Sequence, residues 1–259
     1  MIELFSLRWR HLTRAERVCL AALLATLIVW MLLPAIPQDQ AYHAFADQRA
    51  WLDIPHAADV LSNLAFVAVG LLGVVRLASP DRAKYSSATE AGLWCFALGS
   101  LCTGVGSAWY HLNPIDATLV WDRLPMTLAF TGVLGAAIAQ RVGNHIASVG
   151  FAVLLVVGIS SIAYWQMTGD LSPYLVFQYG GIAALLTLLI LTRKGNDPFP
   201  WWWLIAWYIL AKVFEAGDQA VWEATKQILA GHTLKHLAAA VGCAAMLAPL
   251  RARTSSLRG

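Results

Sequence analysis

The chain is organised around the stretch Gly104-Val-Gly-Ser-Ala-Trp-Tyr-His-Leu-Asn-Pro-Ile-Asp-Ala-Thr-Leu-Val-Trp-Asp-Arg-Leu-Pro-Met126. This stretch joins two apolar segments. Ser107 and His111 are four residues apart in it, and Asp122 follows eleven residues after His111. On a helix, the four-residue spacing places the hydroxyl and the imidazole on one face, one turn apart. We therefore treat these three residues as candidates for a functional site at the margin of a hydrophobic segment.

The composition indicates an integral membrane protein. Hydrophobic residues make up 59% of the 259-residue chain and charged residues only 13%, whereas soluble domains have about 25% charged residues. We expect one compact helical bundle, and the dispersed net charge of +3 argues against a nucleic-acid partner. Four cysteines lie in apolar segments without a CxxC pattern, which predicts small buried hydrophobic residues rather than disulfides or metal ligands: Cys19, Cys95, Cys102 and Cys243.

Hydropathy predicts eight membrane spans, since a spanning helix needs about 20 mostly apolar residues. The seventh span is the weakest prediction, because Lys212, Glu215 and Asp218 interrupt its second half along one helical face. Lys212 and Glu215 are expected to pair within that helix, with a part in substrate binding as the alternative. The predicted spans lie at about 18–37, 57–77, 89–111, 121–141, 145–165, 173–193, 200–222 and 229–250.

The distribution of charge predicts that both termini face the cytoplasm, because short cytoplasmic loops carry an excess of Lys and Arg. The acidic residues of the opposite loops are Asp39, Asp47, Asp53, Asp116 and Asp170. The basic residues that define the cytoplasmic side are Arg8, Arg10, Arg14, Arg17, Arg76, Arg82, Lys84, Arg141, Arg193, Lys194, Arg251, Arg253 and Arg258. The topology therefore comprises a basic N-terminus over 1–17, an extra helix over 18–37, a seven-span domain over 38–250 and a basic tail over 251–259.

The first span could instead be a signal peptide, because a basic start followed by an apolar run is common to both. The run from Val18 to Leu33 is long for such a peptide and contains Trp30, which favours a retained helix. If it were cleaved, seven spans would remain with unchanged orientation.

This topology brings polar residues from several spans to one membrane layer, near the non-cytoplasmic surface. Span three ends there at Ser107 and His111, span four begins there with Asp122, and span eight begins there with His232 and His236. Residues 62–63, a Ser-Asn pair, lie one to two turns into span two from the same side.

Three histidines in one layer predict a metal site. His232 and His236 share a helix face, and His111 would complete three nitrogen ligands, the arrangement of a catalytic zinc site with an open fourth position. Tetrahedral zinc with Zn–N bonds of about 2.0–2.1 Å requires the nitrogens to approach to within about 4 Å. Taken singly, each motif has a simpler interpretation. An HxxxH pair usually binds no metal, Ser107 could pack in a small-residue helix face, and Asp122 could be a charge at a helix N-terminus or a partner of Arg123.

These residues resemble the alkaline ceramidase family, within the superfamily of seven-span intramembrane hydrolases that includes the adiponectin receptors. The matching features are Ser62-Asn63, Ser107-x-x-x-His111, Asp122 followed by Leu-Pro-Met, and His232-x-x-x-His236, and the match runs from about residue 57 to 250. The resemblance implies an all-α seven-helix transmembrane bundle, here with one extra N-terminal helix.

The resemblance also implies a function: zinc held by His111, His232 and His236, and hydrolysis of ceramide or a ceramide-like N-acyl lipid to a fatty acid and a sphingoid-type base. Asp122 would transfer protons and Ser107 would donate a hydrogen bond to the developing oxyanion. The surrounding residues that could support this site are Ser62, Asn63, Arg123 and Lys235.

Other features point to a bacterial branch of the family, and hence to an inner membrane with the active site near the periplasmic side. They are the extra first span, Arg123 and the charged row in span seven. The family's animal members have an acidic calcium-binding segment before the Ser-Asn helix. Here Asp47, Asp53 and Asp59 could offer oxygen ligands, but His56 and Arg49 interrupt the set, so the sequence does not assign calcium.

Two functions of different classes fit these observations. The first is a zinc-dependent amidase that acts on a membrane lipid; the second is a lipid-responsive receptor or sensor with a structural zinc. Ser107 and Asp122 favour the enzyme, since a structural site would not need them. A transporter would require internal repeats or broken helices in both halves, and the sequence shows neither.

Overall fold

The computed structural model describes residues 12–192 and 197–250, and these residues are mainly helical, as predicted. Within these ranges the only β-type pairing is an isolated bridge between Trp51 and Ile54, so the all-α fold class is confirmed. Several basic residues used to predict topology lie outside the described residues: Arg8, Arg10, Arg193, Lys194, Arg251, Arg253 and Arg258.

We number the helices in chain order. They are α1 Arg14–Leu32, α2 Ala57–Ser62, α3 Leu64–Ala78, α4 Ser87–Leu112, α5 Asp116–Arg141, α6 Asn144–Thr168, α7 Ser172–Leu175, α8 Gly181–Leu191, α9 Trp201–Ala216, α10 Asp218–Ala224 and α11 Gly231–Leu247. A short 3₁₀ helix covers Gln40–His43, a π turn covers Val176–Gly180, and a 3₁₀ turn, Ala248–Leu250, ends the described chain.

Six helical stretches in the described ranges are long and apolar enough to cross a membrane. They are Arg14–Leu32, Ala57–Ala78, Ser87–Leu112, Asn144–Thr168, Ser172–Leu191 and Gly231–Leu250. Two predicted spans are not among them. Helix α5 has 26 residues, or about 39 Å, but includes Asp122, Arg123 and other charges, whereas α9 has 16 residues and ends before Gly217. The six stretches support an integral membrane protein. Of the two remaining predicted spans, α5 is too polar and α9 is too short to be counted with them.

The chain divides into two compact units, of which the first comprises residues up to Pro37, Tyr85–Gly92 and Phe130–Asp197. In this unit α1 lies against the π turn, where a Cβ on Gly180 would be 2.8 Å from Thr26. Asp170 fastens the chain after α1, because its carboxylate accepts hydrogen bonds from the backbone of Ile36 at 3.0 Å and of Ser172 at 2.8 Å. Burial alone would raise the pKa of Asp170, but these hydrogen bonds hold it below its usual value.

The second unit comprises Gln38–Lys84, Leu93–Ala129 and Pro198–Gly259, and it contains every residue proposed for the functional site. Helix α11 packs against α9, α2 and α3. Helices α4 and α5 approach closely: a Cβ on Gly99 would lie 2.4 Å from the backbone nitrogen of Ala129. The sequence predicts a loop of ten residues, Leu112 to Trp121, between these two helices. This prediction is wrong, because α4 ends at Leu112 and α5 begins at Asp116.

The four cysteines are free thiols, as expected. Their predicted burial is wrong, since Cys102 is exposed and the other three are partly exposed. A side chain on the outer face of an apolar helix would contact lipid, which accounts for small hydrophobic residues at exposed positions.

Candidate metal centre

The three histidines predicted as ligands lie together in the interior. His111 is on the last turn of α4, and His232 and His236 are on the first turns of α11; their side chains are 0%, 3% and 1% exposed. One nitrogen from each ring lies within 4.8 Å of the other two. This limit on the distance between nitrogens is longer than the value of about 4 Å expected from the sequence. For tetrahedral zinc, the nitrogens would have to approach to about 3.4 Å of one another. Within the described ranges, this is the one group of three or more His, Cys, Asp or Glu side chains that could share a metal ion.

The unsatisfied nitrogen atoms show that the residues fit a metal. Both ring nitrogens of His111 and Nε2 of His236 are buried without a hydrogen-bond partner. A buried polar atom left unpaired costs about 1–3 kcal/mol. A cation among the three rings would accept one lone pair from His111 and one from His236 and remove the cost of those two nitrogens, while the other nitrogen of His111 keeps its proton. Neutral imidazole suits zinc among other transition metals. The cluster could therefore bind a metal ion.

Ser62 orients one of the predicted ligands. Its hydroxyl is 2.9 Å from the carbonyl of Asp59, to which it donates, and 2.8 Å from Nδ1 of His236. A hydroxyl has a single proton, so Ser62 must accept from Nδ1–H of His236. This tautomer leaves Nε2 of His236 with a free lone pair, which is the usual way an outer partner prepares a histidine ligand.

Asn63 supports the site without touching a ring. Its amide donates to the carbonyl of Asp59 at 2.8 Å, and the Asp59 carboxylate accepts a hydrogen bond from Thr233 at 2.7 Å. Thr233 lies between the two histidines of α11, so this chain of contacts fixes α11 against α2 and the start of α3. The sequence interpretation placed Asp59 only among possible calcium ligands and missed this supporting role.

The acidic residues of the segment before α2 do not converge on a cation. Both carboxylate oxygens of Asp47 are used by Arg49, whose Nε and Nη2 lie at 2.9 and 2.7 Å. Asp53 is exposed in a tight turn, while Asp59 is buried beside Thr233. Among the described residues, these three carboxylates therefore do not form a group that could share a metal ion.

Ser107 and Asp122, which the sequence places among the site residues, are both buried, at 2% and 4% exposed. The hydroxyl of Ser107 lies near the carboxylate of Asp122. Their neighbours in sequence explain the approach of the two helices. Pro125 cannot donate to the carbonyl of Trp121 four residues earlier, and this carbonyl would lie 1.8 Å from a Cβ on Gly106.

Lys235 connects His232 to the half-buried carboxylate of Glu215. Its ammonium lies 3.1 Å from Nε2 of His232 and 3.1 Å from Oε1 of Glu215. Glu215 also pairs with Lys212, which confirms the predicted pair within span seven. Sequence spacing missed that Lys235 shares the same carboxylate, because this contact joins α9 to α11.

The second predicted basic neighbour, Arg123, faces an aromatic ring. Its guanidinium lies 5.3 Å from the ring centre of Tyr42, whose hydroxyl donates to Glu215 at 3.3 Å. Burial and the negative charge of Glu215 raise the pKa of Tyr42 well above its usual value. Tyr42 therefore stays a neutral hydrogen-bond donor beside Glu215 and Arg123.

The segment over residues 38–56, which we call the strap, covers the histidines. Phe45 is buried and its ring centre lies 4.6 and 4.4 Å from those of His111 and His232. Asp218 fastens the strap to α11, because its carboxylate accepts from the backbone of Ala46 at 2.9 Å and of His232 at 2.7 Å. No feature of the sequence predicted the position of Phe45 over the histidines. Asp218 stood out only as an unexplained charge in an apolar segment.

A second fastening of the strap involves His43. Its Nδ1 lies 2.8 Å from the hydroxyl of Tyr110, and its Nε2 lies 2.9 Å from the Asp116 carboxylate. Tyr110 is fully buried and precedes His111, one of the three predicted ligands. The strap is thus held on the α4–α5 side as well as on the α11 side.

Comparison of the chain with protein-family models, with curated proteins and with solved structures finds no match.

Proposed function

We propose that this protein is a zinc-dependent intramembrane hydrolase that cleaves the amide bond of ceramide or a ceramide-like N-acyl lipid. The observation that carries the proposal is the buried group of His111, His232 and His236, in which nitrogens of His111 and His236 have no hydrogen-bond partner. The Ser107–Asp122 pair supplies polar groups that a purely structural site would not need. In this proposal α5 and α9 also cross the membrane, giving a ceramidase-type seven-span bundle after the extra α1, with the site near the periplasmic side of a bacterial inner membrane.

A zinc ion bound to the three histidines would polarise the amide carbonyl and lower the pKa of a water molecule to roughly 7. Asp122 is the group available to accept the proton of the attacking water and return it to the leaving amine. The hydroxyl of Ser107 can then turn from Asp122 to donate to the developing oxyanion. Ser62 keeps His236 in the required tautomer.

A lipid substrate agrees with the surroundings of the site. The helices that carry the three histidines, α4 and α11, belong to the apolar stretches long enough to cross a membrane, and the strap covers His111 and His232 with the ring of Phe45. A substrate with a long acyl chain can approach between helices from the bilayer, where its apolar part need not leave a hydrocarbon environment.

A lipid-responsive receptor with a structural metal is the second candidate. The observation that favours it is the depth of the cluster, because no ligand ring is more than 3% exposed. Structural zinc sites are closed, whereas catalytic sites keep one position open for water.

Turnover and metal content measured together separate the two functions. Purified protein in nanodiscs is incubated with labelled ceramides and related acyl amides, with and without a chelator, and released fatty acid is quantified. Asp122→Asn should retain the metal and lose about 10²–10⁴-fold in turnover, while His236→Ala should lose both. His145→Ala, at an exposed histidine far along the chain, is the matched control and should lose neither.

The opposing outcomes are equally distinct. No turnover by metal-loaded protein across the panel would reject the hydrolase and favour the receptor. Full turnover by His236→Ala would reject the role of the histidine cluster.

A further inference from the structure

The first unit contains a cavity of about 540 Å³ at the end of the helices where α1 begins and α5 and α8 finish. Its polar lining comes from Arg14, Gln140, Arg141 and Thr192, and apolar side chains of α8 complete it. The cavity lies in the first unit, whereas the histidine cluster lies in the second. What it binds is therefore a separate question from the proposed hydrolysis.

Arg141 is the buried charged residue of this cavity. Its side chain is 6% exposed; Nη1 donates to the carbonyl of Thr192 at 2.5 Å, and Nη2 pairs with Asp197. Its Nε is buried and has no hydrogen-bond partner. An ionised donor left unpaired in the interior is costly, so the position favours a ligand that supplies an acceptor oxygen.

The start of α1 adds a second anion-attracting feature. Arg14 and Ala15, the first two residues of this 19-residue helix, line the cavity. First-turn N–H groups have no partner inside a helix, and together with the helix dipole they favour a negative charge. The capping box formed by Thr13 and Glu16 uses the backbone N–H groups of those two residues, and neither of them lines the cavity.

We propose that this cavity binds a phosphate group, carried by an anionic lipid headgroup or by a soluble phosphate compound. Arg14 and Arg141 provide two positive charges; the carboxylate of Asp197 pairs with Arg141, and that of Glu16 is held by the backbone of Thr13. Arginine donors suit phosphate oxygens. The location at the ends of apolar helices matches basic pockets that bind lipid headgroups on the cytoplasmic side. The exposed Ile190 and Leu191 of α8 lie where the apolar part of a lipid would continue.

Binding is tested with full-length protein in nanodiscs of phosphatidylcholine, to which phosphatidylglycerol or soluble glycerol phosphate is added. The readout is the apparent dissociation constant from native mass spectrometry or the shift of the unfolding temperature. We expect saturable binding of at least one phosphate source; response to phosphatidylglycerol alone identifies a headgroup, and response to glycerol phosphate identifies a soluble ligand.

Two variants locate the site. Arg141→Lys keeps the positive charge but removes the Nε donor, and the exposed Arg14→Gln removes a charge without disturbing the interior; each should weaken binding about tenfold, the value of one charged hydrogen bond. Arg17→Gln, on the same helix but outside the cavity, is the control and should bind like wild type. Equal affinity of Arg14→Gln and wild type, or no saturable response to either phosphate source, would overturn the proposal.

Discussion

Gly106→Ala tests whether the contact between α4 and α5 sets the geometry of the site. The added Cβ would lie 1.8 Å from the carbonyl oxygen of Trp121, whereas real Cβ contacts are essentially never under 3.0 Å, so the helices must separate by at least about 1.2 Å. Because backbone rather than a flexible side chain blocks the position, we expect an overpacking cost of about 1–3 kcal/mol. The better helix propensity of alanine offsets up to about 1 kcal/mol.

The predicted net loss of about 1–2 kcal/mol corresponds to a fall of roughly 2–8 °C in unfolding temperature. The separation would also move Ser107 and His111 with α4 relative to Asp122 on α5. Metal sites tolerate about 0.2 Å in ligand distances, so zinc affinity should fall as well. The assay is thermal unfolding in detergent combined with zinc titration.

The control for this variant is Gly150→Ala, where the new Cβ would meet only Ile138 at 3.6 Å, an ordinary contact. This variant should be as stable as wild type or slightly more stable. If Gly106→Ala unfolds and binds zinc like Gly150→Ala, the close helix contact does not position the site.

Three further predictions concern residues around the histidines. Ser62→Ala should lower zinc affinity about 10–100-fold, because His236 loses the partner that fixes its tautomer; competition with a fluorescent chelator measures this. Asp218→Asn should lower stability by about 1–2 kcal/mol in thermal unfolding, since one of its two N–H partners would face an amide donor. Burial alone would raise the pKa of Asp47, but the hydrogen bonds and charge of Arg49 hold it below its usual value. The charged form therefore stabilises the fold above about pH 4, and the stability advantage of wild type over Asp47→Asn should shrink as pH falls below that; an advantage unchanged down to pH 2 would contradict it.

Helical spacing was enough to predict which histidines lie together. His232 and His236 share a face of any helix, and the depth assigned by loop charges brought His111 to the same layer. The spacing along a helix and the depth in the membrane can both be read from the order of residues, so periodicity and hydropathy are enough to predict them. Ser62 was predicted for the same reason, although its partner among the histidines was not.

The remaining parts of the site depend on contacts that no local pattern encodes. Phe45 covers the rings because the strap folds back over α11, and Asp218 holds the strap through backbone N–H groups, which look alike in every sequence. The short connection between α4 and α5 was missed because hydropathy does not detect the polar first turns of a helix that begins at Asp116. The sequence could not decide whether calcium binds, because it does not show where side chains point. In the structure, the guanidinium of Arg49 pairs with the carboxylate of Asp47.

The most direct test of the account is the metal content of the protein in its purified, undamaged form. Inductively coupled plasma mass spectrometry should find about one zinc per chain in wild type and in the His145→Ala control, and almost none in His236→Ala. Less than half an equivalent of any transition metal in wild type after zinc dialysis, or equal zinc in His236→Ala, would contradict the three-histidine metal centre.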